Sequence, residues 1–212
     1  MTKMLGLMLK ASVMNIKIFA LTLLFALPLG FIVAKGRMSK VRIVRFLVNI
    51  YIQIMRGTPL ILQLIAVYFA PYYIFGVSYN RFTAVIIAFV INYAAYLAEI
   101  YRSGLQAIDR GQYEAGKVLG FTKIYTFFHI ILPQVFKIIL PALAGEVITL
   151  VKDTALAQTI GVAELFRVAQ NAASREFSTM PIFIAGIFFF VMNWGVNKFF
   201  AFIEKKMDYY QG

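Results

Sequence analysis

The sequence predicts an all-α integral membrane protein with five transmembrane helices, and three observations carry that prediction. Of its 212 residues, 61% are hydrophobic and only 14% charged, against about 45–50% and about 25% in soluble domains. The apolar residues gather into five runs long enough to cross a bilayer core, which takes roughly 20 helical residues. Inside those runs nothing alternates with a period of two, as the strands of a membrane barrel would. The backbone must then satisfy its own hydrogen bonds as helix. A chain of mean hydropathy +0.79 could not hide this much apolar surface in water, which excludes most soluble enzymes and any disordered class. With no cysteine there is no disulfide, thiolate metal site or cysteine nucleophile, and a lone histidine removes most zinc sites. No metal ligand set is expected. The net charge of +12 reads as cationic loops beside an anionic membrane face rather than a nucleic-acid surface.

The first run, 13–34, is longer than a signal peptide and lacks a small-x-small cleavage site before Lys35. It is read as a retained span, with MLGLMLK before it as a short interfacial helix. The others cover 46–69, 82–100, 130–151 and 182–203. Together they make one transmembrane domain over 1–212, with no room for a separate soluble domain. Lys35, Arg37, Lys40, Arg42 and Arg45 follow span 1 without an acid. Arg102, Arg110, Lys117 and Lys123 follow span 3, and Lys198, Lys205 and Lys206 lie at the C-terminal end. The positive-inside rule puts these three regions in the cytoplasm and the N-terminus outside; Lys3 and Lys10 run against that placement.

The most informative segment is the inner loop 102–129. Gly111 breaks the chain, a short helix runs over 112–119, and Gly120 stands where a C-terminal cap belongs. Glu114-Ala115-Gly116 leaves one helix surface nearly bare, so another backbone can come close, and Thr122 can cap the helix that enters the membrane at Ile130. Glu-Ala-Gly, then Gly120, then Ile130-x-Leu132-Pro133 resembles the EAA loop of ABC importer permeases, E-A-A-x3-G-x9-I-x-L-P. Gly116 departs from the usual Ala and lowers helix propensity by about 1 kcal/mol. Arg56-Gly57-Thr58-Pro59-Leu60 and the stretch 142–170 are similar to the polar amino acid branch of these permeases.

The resemblance implies a type I ABC importer permease (MetI-like) fold in a prokaryotic cell membrane. It implies a coupling helix carrying Gln112, Glu114, Ala115, Gly116 and Gly120, docked on a dimer of cytoplasmic ATPase subunits that bind ATP and magnesium. It also implies a second permease subunit, identical or related, and an extracytoplasmic amino-acid-binding protein. The chain has no G-x-x-x-x-G-K-[ST] of its own, so it is read as a transport subunit and not an enzyme.

Three polar stripes mark the path. In span 2, Asn49, Gln53, Arg56 and Gln63 share a face, and Pro59 frees the carbonyl four residues back. A broken helix at membrane depth lines a cavity and can hold substrate. Thr58, Pro59 and adjoining backbone groups are the candidates. Arg56 meets either a substrate carboxylate or a structural acid. In span 4, Glu146, Thr149 and Asp153 share a face; Glu146 either pairs with Arg56 or belongs to a cation site. In span 3, Asn92 can serve substrate, and Glu99 can pair with Arg102. Two acids on one face favour Arg, Lys or His as substrate, with glutamine as the competitor. An ion-driven secondary transporter and a non-transporting scaffold are the rival classes. Asn193 and Asn197 are read as packing contacts, His129 as a solvated or hydrogen-bonded side chain, and 161–170 as an amphipathic outer helix with Glu164 three residues from Arg167.

Overall fold

The computed structural model describes residues 2–207, and among them every regular element is helical. The helices are α1 (Thr2–Arg37), α2 (Arg42–Gly57), α3 (Leu60–Phe75), α4 (Arg81–Gln106), α5 (Arg110–Val118), α6 (Lys123–Thr126), α7 (Leu132–Asp153), α8 (Leu165–Glu176) and α9 (Met180–Met207). A π turn, Phe127–Ile131, joins α6 to α7, and a 3-10 segment, Thr154–Ile160, follows α7. Four stretches are long and apolar enough to cross a membrane, and α2 with α3 supplies a fifth only if the bent pair is taken together.

The first span is longer than expected. Rather than a separate interfacial turn, 2–12 continue α1 without a break. Its buried positions, Met8, Ala11, Asn15, Ile18, Thr22, Ala26 and Ala34, recur every three to eight residues along one stripe. Met8 packs with Leu165 and Ala169 of α8, so the N-terminal turns are ordered by a tertiary contact that hydropathy does not register. Farther along, a Cβ on Gly30 would lie 2.8 Å from Leu97 Cβ. A glycine is required there because α1 lies so close to α4.

The central helix is α4, which alone of the spans is buried over much of its circumference, by Val85, Phe89, Tyr93, Leu97 and a set of alanines. Its Gly104 meets α7 so tightly that a Cβ would fall 2.2 Å from Ile139 Cγ2. Asn80 caps the start of α4 by accepting from the Phe82 amide.

Span 2, expected as one helix over 46–69, is two helices meeting at 111°. Thr58 ends α2, its amide and its hydroxyl both donating to the Ile54 carbonyl. Pro59 follows in extended geometry and begins α3 from outside. Because Pro59 has no N–H, the Met55 carbonyl loses its helical donor.

Candidate functional site

The bend is closed by two side-chain amides. Gln63 Nε2 donates to the Met55 carbonyl at 2.9 Å, and it also lies 3.1 Å from the Thr58 carbonyl and 2.8 Å from Thr58 Oγ1. From α4, Asn92 Nδ2 donates to the same Met55 carbonyl at 3.1 Å and to Gln63 Oε1 at 2.9 Å. The carbonyl freed by Pro59 is thus occupied within the protein. Asn92, 4% exposed, holds the bend to α4, and its amide is committed to that task.

Beside the bend lies a cavity of about 420 Å³, lined by Thr58, Pro59, Asn92, Glu146, Thr149 and Asp153 together with Leu60, Ile61, Tyr93, Tyr96 and Leu156. Six of the seven predicted pocket residues therefore share one wall system, contributed by the bend, α4 and α7. Tyr93 was not foreseen. Its hydroxyl donates to Asp153 Oδ2 at 2.7 Å, so Asp153 is held from α4 rather than by Lys152 beside it. Tyr93 and Asp153 lie 60 residues apart, and nothing local in the sequence links them.

Arg56 is the exception. Its guanidinium sits 5.3 Å over the Tyr96 ring and 3.9 Å from Glu99, beside the cavity rather than among its lining residues. Among the described residues Glu99 gathers every salt bridge found: Arg102 at 2.7 Å, Arg37 at 3.4 Å and Arg56 at 3.9 Å. The pairing of Glu99 with Arg102 agrees with the i, i+3 expectation, whereas Glu146 has no ion pair with Arg56. Glu146 is left half-buried at the cavity wall, able to accept hydrogen bonds from a positively charged group.

The second candidate region is α5 and its flanks. The chain breaks at Asp109, whose side chain accepts from the Gly111 amide at 2.6 Å, so Gly111 lies in the first helical turn instead of ending a segment. Gln112, Glu114 and Ala115 are exposed, and Gln112 is tied to α7 through Gln134 at 3.2 Å. Gly116 faces inward, contrary to the expectation of a bare outer surface. It is buried against α6, where a Cβ would come within 2.7 Å of Thr126 Oγ1 and 2.8 Å of Thr126 Cγ2. The helix ends as expected at Gly120, with φ +77. The Phe121 amide bonds back to the Gly116 carbonyl and the Gly120 amide to that of Lys117, which satisfies the last carbonyls of α5. Thr122 caps α6 through the Tyr125 amide. His129 is stacked on Tyr125 at 4.2 Å.

On the far side of the molecule from α5, Glu164 caps α8 from a fully buried position, accepting from the Phe166 and Arg167 amides. Asn15 of α1 donates to both Glu164 and Thr154 and accepts from the Leu165 amide. Glu164 is thus a structural cap, while the Arg167 side chain reaches the Gln158 carbonyl.

Known proteins are similar to this chain over nearly its whole length. The L-cystine transport system permease protein TcyB of Bacillus subtilis is 37% identical over 198 residues, 92% of this chain and 84% of its own. GlnP of Rickettsia felis, a permease protein assigned by name to glutamine transport, is 36% identical over 93% of this chain and 91% of its own. A crystal structure of an amino acid ABC transporter with histidines contains a chain 35% identical, with a TM-score of 0.89 over 97% of this chain and 96% of that one. The inward-facing MetNI methionine ABC transporter, 18% identical with a TM-score of 0.77 over 98% and 99% of the two chains, shares the fold. Residues 26–209 match the family described as the binding-protein-dependent transport system inner membrane component, and with relatives more than 30% identical over nearly its whole length, the chain belongs to that family of ABC importer permeases.

Proposed function

We propose that this permease carries polar amino acids, with a preference for those whose side chains are basic, through the cavity between the α2–α3 bend, α4 and α7. The observation that carries the reading is the wall formed by Glu146, Thr149 and Asp153 on one face of α7, with no cationic side chain among the cavity's lining residues. Buried or half-buried carboxylates without a fixed counter-ion are costly in a membrane. A substrate guanidinium, ammonium or imidazolium supplies the missing charge. Thr58 and Thr149 offer hydroxyls at the same wall. The arginine transport system permease protein ArtQ of Bacillus subtilis, 36% identical over 84% of this chain and 82% of its own, supports this substrate class. The glutamine and cystine relatives keep glutamine as the competing reading.

In this mechanism the exposed face of α5, with Gln112, Glu114 and Ala115, docks on an ATPase partner. Gly116 and Gly120 work from behind, setting how α5 seats and ends. Nucleotide binding and hydrolysis take place in that partner, which supplies the repeated bias that a binding equilibrium alone lacks. A second permease subunit completes the path, and a binding protein delivers substrate from outside. α5 then faces the cytoplasm, with the C-terminus on the same side and the N-terminus outside.

The test is uptake by the reconstituted transporter. Glu146→Gln and Asp153→Asn should each reduce arginine uptake more than glutamine uptake; equal loss of both removes the case for a cationic pocket. Uptake that needs no ATPase and collapses with an uncoupler would favour the ion-driven class instead.

A further inference from the structure

Three arginines from three helices converge on a single carboxylate next to the cavity. Arg37 ends α1, Arg56 ends α2 and Arg102 lies near the end of α4; all three contact Glu99 within 4 Å. The cluster therefore carries a net charge of about +2. Its side chains remain 27–45% exposed on the three arginines, so the excess charge is presented rather than sealed. Its place is set by α4. Asn92, Tyr96 and Glu99 stand at offsets of four and seven on one helical face. Tyr96 lines the cavity, and Arg56 lies on the ring of Tyr96. The cluster thus adjoins the cavity directly, on the side toward α5.

Along this face the charge changes sign: two carboxylates in the cavity, then three guanidiniums around one carboxylate. A structural clasp would need one arginine for one acid, and Arg102 already supplies it with a bidentate pair, Nε donating to Oε1 and Nη2 to Oε2. Arg37 and Arg56 add charge beyond neutrality, and holding that surplus beside Arg102 costs repulsion that a purely structural pairing has no use for.

 The physical point is the sign: gathered guanidiniums repel one another, and the second and third gain too little from an acid that Arg102 already holds.

Resting on the transport reading above, we propose that the Arg37–Arg56–Arg102–Glu99 cluster is a charge-selective barrier at the α5 end of the path, which turns back simple inorganic cations and admits amino acids through their carboxylate. The cavity's acids attract sodium and potassium as well as a basic side chain, so a path built from them alone would leak. Arginine residues lining a pore exclude cations by their fixed charge. A basic amino acid differs from an inorganic cation in carrying a carboxylate, which a guanidinium fork receives with two parallel hydrogen bonds.

The experiment uses the permease reconstituted with its ATPase partner in liposomes during ATP turnover, and it records potassium leak beside amino acid uptake. One guanidinium charge about 10 Å from the ion, at an effective dielectric near 20, is worth about tenfold in passage rate. Arg56→Gln and Arg37→Gln should each raise potassium leak about tenfold, whereas Arg56→Lys and Arg37→Lys, which keep the charge, should hold it near the wild-type level. Glu99→Gln removes the shared partner of all three arginines and makes the cluster more positive, so leak should stay level or fall. Leak that rises in Glu99→Gln as it does in the arginine variants overturns the proposal, because cohesion and not charge would then keep ions out. So does leak unchanged in both arginine-to-glutamine variants. If the wild type shows no amino acid uptake, the transport reading fails; if it takes up amino acids and the leak pattern is absent, the barrier alone fails.

Discussion

Restoring alanine at position 116, as the EAA pattern has it, should weaken the seating of α5 unless Thr126 is trimmed as well. A Cβ on Gly116 would meet three atoms of Thr126, at 2.7, 2.8 and 3.3 Å. Since Oγ1 and Cγ2 both intrude, only a rotamer turning the Thr126 hydrogen toward α5 would relieve them, and a β-branched residue in a helix has little such freedom. Overpacking of this kind costs about 1–3 kcal/mol, while replacing a helical glycine with alanine returns about 1 kcal/mol. Gly116→Ala alone should therefore cost up to about 2 kcal/mol locally. In a Thr126→Ala background the two closest atoms are gone and only the 3.3 Å approach to Cβ is left, which a shift of a few tenths of an ångström relieves, so the same change should stabilise α5 by about 1 kcal/mol. Hydrogen exchange at the Leu119 and Phe121 amides, which bond back to Ala115 and Gly116, reads this opening directly. Protection should fall up to about thirtyfold in the single variant and rise about fivefold for the same substitution in the Thr126→Ala background. An effect of equal sign and size in both backgrounds would refute the steric argument, since the double-mutant cycle would then hold no coupling between the two positions.

Other outcomes follow from contacts elsewhere. Gln63→Ala leaves the Thr58 carbonyl and part of the Met55 carbonyl without a donor, and should cost about 1–3 kcal/mol, seen as a lower melting temperature of the purified protein. Gly104→Ala should destabilise by about 1–3 kcal/mol, because its Cβ would fall 2.2 Å from Ile139 Cγ2; Ile139→Val in the same chain keeps both γ carbons and should recover none of the loss, whereas Ile139→Ala removes the clashing branch and should remove the added cost of Gly104→Ala. Burial pushes the Glu164 carboxyl above its ordinary value of 4.5, against the opposing hydrogen bonds from the Phe166 amide, Asn15 and the Arg167 amide. The folded state then holds the proton more tightly than the unfolded chain. Stability from this group is fully present below about pH 4.5 and declines as pH rises through the folded value. Melting temperature measured upward from pH 4.5 should show that decline, and Glu164→Gln should flatten it. A slope unchanged in the variant would assign the titration to another group.

Length and apolar content made α4, α7 and α9 legible: α4 and α9 run past both ends of their predicted spans, and α7 is shifted from its own by two residues at each end. Pro59 announced the break in span 2, but its angle did not follow from the sequence: a hydropathy window averages across two residues of extended chain. The polar stripe of Gln63 was visible, whereas its partner Asn92 stands 29 residues away and is reached only when α3 packs on α4. The same holds for Glu99, where the local pair with Arg102 could be read and the approach of Arg37 and Arg56 could not. The π turn at Phe127–Ile131 adds one residue to a helical turn, with the Leu132 amide bonding to the Phe127 carbonyl. Its apolar neighbours hide so small an insertion. Gly116 shows a different limit, because composition identifies a missing side chain without telling which way the gap faces.

The anchoring of the bend on α4 has a mechanical side. From Asn92 to Gln106 the helix is unbroken, a stiff rod of about 21 Å with the kinked wall at one end and the loop leading to α5, the proposed docking element, at the other. Turning such a rod by a few degrees drags the Met55 carbonyl sideways without breaking any backbone hydrogen bond. A push on the loop and a change in the width of the chamber are then two readings of one rotation.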